Sequence, residues 1–126
     1  MVSLVDQLDL EESIALISRC DLLVGIDSGL LHVAAALKIP AVGLFGAISP
    51  QFRFSQNYAR SFVVSPVACQ GCHHRVPRLH WQTGCPYDVA CMAAITPETV
   101  LQACLAQLEA MKLANAAVAK TQLLAP

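Results

Sequence analysis

The sequence predicts an α/β domain of three layers with a short parallel sheet. Apolar runs of strand length alternate with helical stretches. Each run is apolar throughout rather than alternating, as strands covered on both faces require. The composition, 56% hydrophobic and 13% charged over 126 residues, suffices for one real core.

The elements are read in chain order. Residues 2–5, "VSLV", are predicted as a short strand. Asp9 caps a helix, with Glu12 three residues on as its capping-box partner, and Leu10, Ile14 and Ile17 are its inward face. "DLLVGI", residues 21–26, is a strand buried on both faces. Gly29 to Leu37 is a helix apolar all round and so buried, with Lys38 favouring its C-terminal end and Pro40 stopping it. "AVGLF", residues 41–45, is the next strand, and "SFVV", residues 61–64, a third. Residues 66–94 form an irregular excursion inserted in a domain of residues 1–114. Thr96-Pro97-Glu98 then starts a helix, with Val100, Leu101, Cys104, Leu105, Leu108 and Met111 on its apolar face. Residues 115–126 are predicted as a frayed Ala-rich tail. So few strands leave one side of the sheet open, to be covered by another domain or a second copy of the chain.

A net charge of −1 argues against nucleic acid as a partner. No apolar run reaches the roughly 18 residues a membrane span needs. The N-terminus lacks a basic stretch followed by an apolar one, so no signal peptide is expected.

Asp27, Ser28 and Gly29 stand where the strand 21–26 gives way to the helix. In open parallel sheets ligands bind beyond such strand ends. The first helical turn offers unpaired amides and a positive dipole end, which suit a phosphate. Gly29 lets an anion approach the backbone, and Ser28 adds a hydroxyl. His32, four residues after Ser28, lies on the same helix face and leans back toward that end, placed to donate to a phosphate oxygen. A phosphate would repel Asp27, which is better suited to accept from sugar hydroxyls. Gly46 opens a second loop on the same rim. Singly, each has a plainer explanation: an N-cap for Asp27 or Ser28, a core histidine for His32. A Ser-His hydrolase is disfavoured because no G-x-S-x-G elbow is present.

"DLLVGIDSGLLHVAAALKIPAVGLFG" resembles the signature of the family-9 glycosyltransferases, the bacterial heptosyltransferase family. The resemblance continues through a Cys-rich loop to "CMAAITPETVLQA", covering residues 10–108. It implies the C-terminal, donor-binding half of a GT-B architecture, here a partial Rossmann-like domain. It also implies a nucleotide-diphosphate sugar such as ADP-heptose as ligand, lipopolysaccharide-type glycan synthesis as context, and a cytoplasmic location, membrane-peripheral in the full-length protein. Carried over, Asp27 would contact the sugar, and Ser28, Gly29 and His32 the diphosphate. The acceptor-binding domain and its catalytic carboxylate have no counterpart here, so transfer by this chain alone is not expected. "AISP" stands after Gly46 where family members often have Pro-Thr.

Cys69, Cys72, Cys85 and Cys91 follow a C-x2-C-x12-C-x5-C spacing, with His73, His74 and His80 between. This is a candidate structural zinc set that would also order a long loop. Disulfides, Cys-x-x-Cys-His haem attachment and four reduced thiols are the competing readings. Cys20 and Cys104 read as small core residues. A stand-alone metal-binding or protein-interaction module that kept the fold is the functional alternative.

Overall fold

The computed structural model describes residues 1–54, 60–75 and 84–123. His80 lies outside the described residues. The chain forms a three-stranded, all-parallel sheet of β1 (Leu23–Ile26), β2 (Ala41–Phe45) and β3 (Arg60–Val64), in that spatial order. Among the described residues four α-helices accompany it: α1 (Leu10–Ile17), α2 (Gly29–Ala36), α3 (Ala90–Ala93) and α4 (Pro97–Leu123). This is the predicted α/β class. Helix α2 packs on β1 and β2 and against α1, and α4 packs on β2 and β3.

The pleat of β2 explains the layering. Successive residues face opposite sides of a sheet. Ala41, Gly43 and Phe45 meet α2, and the space beside Gly43 is filled by Leu31, Phe45 and Phe62. Leu44 faces Val100 and Cys104 of α4. Leu31, Val42 and Phe45 are the largest fully buried side chains. Each contributes about 1.5–3 kcal/mol by leaving water.

The predicted helix signals operate as expected. Asp9 N–H donates to Glu12 Oε2 at 3.0 Å, and Glu12 N–H to Asp9 Oδ1 at 2.8 Å, completing the capping box. Thr99 N–H donates to Thr96 Oγ1 at 3.3 Å ahead of Pro97. Helix α2 ends in a Schellman turn: Ile39 N–H reaches Ala34 O at 2.9 Å and Lys38 N–H reaches Ala35 O at 3.2 Å, with Lys38 left-handed at φ 59°. Lysine occupies a position that glycine usually fills.

Several expectations are corrected. Residues 2–5 form no strand. Gln7 N–H donates to Leu4 O in a turn, and Asp6 at φ 58° swings the chain toward α1. Leu10 is exposed, because α1 reaches the core through Ile17 and only its C-terminal half is covered. Strand β1 is not buried on both faces: Val24 and Ile26 are 45% and 56% exposed, because α4 lies over β2 and β3 and stops short of β1. Helix α2 is buried through Leu31 and Ala34 but exposes Leu30, Ala36 and Leu37. On α4, Leu101 and Leu105 are likewise exposed, while the polar Gln107 is buried. Helix α4 continues through Asn115 to Leu123.

Candidate functional site

The C-terminal ends of β1 and β2 share one rim. Chain reversal there is set by Ser28, extended at φ −143°, after which Gly29 opens α2. The Ser28 side chain makes no capping hydrogen bond, so its hydroxyl is not committed to the helix. A Cβ built on Gly29 would meet nothing within 4 Å, and Gly29 is not left-handed. Neither packing nor backbone conformation explains a glycine there. Open space over the first amides of α2 is what an approaching anion needs.

His32 is exposed and stacked on Phe54, with ring centroids 4.4 Å apart and planes 16° from parallel. Phe54 meets the core rings of Phe45 and Phe62 at 6.1 and 5.7 Å. The imidazole is thus held by its face, and ring edges carry the nitrogens. This also corrects the idea of His32 inside a dry helix: the helix is dry on the Leu31–Ala34 side only.

Asp27 forms an ion pair with Arg53, Nε to Oδ2 at 3.5 Å. Arg53 follows a 3-10 turn, Pro50–Phe52, that succeeds β2. Such a partly exposed pair contributes about 1 kcal/mol or less. Asp27 and Gly46 line one hollow of about 210 Å³, with Ile26, Phe45, Ala47 and Ile48. The structure therefore brings Asp27 and Gly46 to a common hollow, and Ser28, Gly29 and His32 to the adjoining start of α2. Gly46 has a packing reason of its own: a Cβ there would lie 2.8 Å from Cys91 Sγ and 2.9 Å from Met92 Sδ. Arg53 and Phe54 escape a sequence reading, because a loop residue acquires its partner only when the turn folds back.

The cysteine segment is pinned to this rim by its backbone. Gly71 N–H donates to Gly46 O and His73 N–H to Ala47 O, each at 3.0 Å. The Arg75 guanidinium donates to Gln70 O. These bonds order the start of the excursion. All six cysteines are free thiols, and among the described residues no group of three His, Cys, Asp or Glu is placed to hold a metal ion. Burial pushes the Cys91 thiol above its ordinary range, and the charges of Cys69, Cys72 and Cys85 add to the rise. Less Cys91 thiolate is then present at any given pH. In a peptide-mapped iodoacetamide time course at pH 8, Cys91 should react well after the exposed Cys85, its rate rising only at more alkaline pH. Equal rates would show that Cys91 is neither shielded nor shifted.

The sequence matches glycosyltransferase family 9 (heptosyltransferase) over residues 1–81. It is 48% identical over 50 residues to lipopolysaccharide heptosyltransferase 2 of Salmonella typhimurium and 46% identical over 50 residues to that of Escherichia coli, each stretch 40% of this chain and 14% of the relative. It is 43% identical over 51 residues to lipooligosaccharide heptosyltransferase 2 of Haemophilus influenzae, 40% of this chain and 15% of the relative. The matched stretches thus span about one seventh of the curated relatives. No solved structure gives a significant match.

Proposed function

The chain belongs to glycosyltransferase family 9, and from that premise we propose that its β1–α2 rim binds the diphosphate sugar of a nucleotide-sugar donor, of the ADP-heptose kind, in lipopolysaccharide-type glycan synthesis. The observation that carries this reading is the open start of α2. Gly29 has no packing reason to be glycine, the Ser28 hydroxyl makes no capping hydrogen bond, and His32 is held face-on beside them. In this reading the first amides of α2, Ser28 and His32 donate to phosphate oxygens, Asp27 accepts from sugar hydroxyls, and Gly46 shapes the hollow between. The catalytic carboxylate and the acceptor come from another domain.

Such a domain, or a second copy of the chain, would cover the apolar surface at Val24 and Ile26. No helix among the described residues is long and apolar enough to cross a membrane. We place the protein in the cytoplasm, at the membrane periphery when part of a larger transferase.

The test is calorimetric titration of the chain with ADP and with ADP-heptose. Asp27→Ala should abolish the preference for the sugar-bearing ligand and leave ADP itself bound. His32→Ala should weaken both about tenfold, the effect of losing one hydrogen bond to a charged oxygen. No binding of either ligand overturns the proposal.

A further inference from the structure

Resting on the donor-site reading, we propose that Arg53 is the cation that meets the donor's diphosphate, held ready by Asp27 and passed from that carboxylate to the phosphates on binding. A diphosphate docked at the start of α2 would sit beside the Asp27 carboxylate, and like charges at close range oppose binding. Lys38 cannot relieve this, because it stands past the opposite end of α2, about 12 Å away along an eight-residue helix.

Arg53 is on the correct rim. Its backbone is fixed: Arg53 N–H and Phe54 N–H both donate to Pro50 O, at 3.0 and 3.1 Å, and Pro50 is buried. Phe54, the next residue, stacks on His32, which ties the turn to the same helix start. The side chain, by contrast, is 42% exposed, against 16% for Asp27. The 3.5 Å approach through Nε is longer than the roughly 2.7–2.9 Å of a tight charge-assisted bond. An anchored base, a loosely held tip and a planar fork of donors suit transfer to a phosphate, which a guanidinium engages in two-point fashion. Asp27, released from Arg53, is then available to sugar hydroxyls.

The experiment titrates the 126-residue chain with ADP and AMP at low and moderate salt, as wild type, Arg53→Gln, Arg53→Lys and Asp27→Asn. Arg53→Gln should weaken ADP about tenfold, erase most of the preference for ADP over AMP, and flatten the salt dependence. Arg53→Lys should restore part of the loss. Asp27→Asn should tighten ADP severalfold, because Arg53 is freed and the repelling charge is gone. Wild-type binding with an unchanged ADP-over-AMP preference in Arg53→Gln overturns the assignment and leaves the donor site standing. An equal loss for ADP and AMP also overturns it, since a folding defect or a base contact would act on both. Failure of the wild type to bind ADP removes the donor-site reading, and this inference with it.

Discussion

Gly43→Ala should lower the unfolding free energy by about 2–3 kcal/mol, the upper part of the usual range for overpacking a core. The added Cβ would lie 2.7 Å from Phe45 Cε2, 2.9 Å from Leu31 Cδ2 and 3.3 Å from Phe62 Cδ1. All three are ring or branch atoms of side chains packed in or against the core. Phe45 and Leu31 are each 1% exposed, and Phe45 is fixed edge-on to Phe62 with centroids 5.1 Å apart. The close approach of α2 to the central strand depends on this position having no side chain. Phe45 also supports Phe54, and Phe54 supports His32. Repacking around residue 43 should therefore weaken ADP binding as well as stability. Urea melts followed by circular dichroism measure the first effect, and titration below the shifted midpoint measures the second. A midpoint within error of wild type would show that the core is looser than its distances state.

Gly29→Ala should do the reverse, separating stability from binding. Its Cβ would enter open space, and Gly29 needs no left-handed φ. Alanine at the first helical position should leave stability unchanged or raise it by roughly 0.5 kcal/mol, by reducing the freedom of the unfolded chain. The same methyl would stand over the amides to which an anion must come. We expect ADP affinity to fall about tenfold or more, because a charge-assisted contact is lost while its donors stay in place. A stabilised protein that binds ADP as well as wild type does would mean that the phosphates do not approach at Gly29.

Much of the architecture follows from local rules, and those rules held. The Asp9–Glu12 box, Thr96-Pro97, the stop at Pro40 and the apolar runs of β1, β2 and β3 each rest on residues near in sequence. The disagreements come from packing, which sequence periodicity does not carry. Val24, Ile26, Leu101 and Leu105 have the apolar character of buried residues, yet no element among the described residues covers them. Their pattern reports a surface suited to burial rather than one already buried. "VSLV" has strand composition but pairs with no strand among the described residues. Asp27, Ser28, Gly29 and His32 stood out because strand end, helix start and helical spacing are all local. Arg53 and Phe54 did not, since their partners lie more than twenty residues back in the chain. The cysteine segment invited a metal as its source of order, and the backbone bonds from Gly71 and His73 to the β2 rim order its beginning by other means.

Donor binding at this rim requires a phosphate-bearing ligand to meet the first turn of α2. Amide chemical-shift mapping of the isotopically labelled chain during an ADP titration tests that contact directly. The predicted result is saturable shifts concentrated at Ser28, Gly29, Leu30 and Leu31, with the His32 ring and the Arg53 side chain moving in step. Shifts confined to α4 or to the cysteine segment, with the residues from Ser28 to His32 unmoved at saturation, would contradict it.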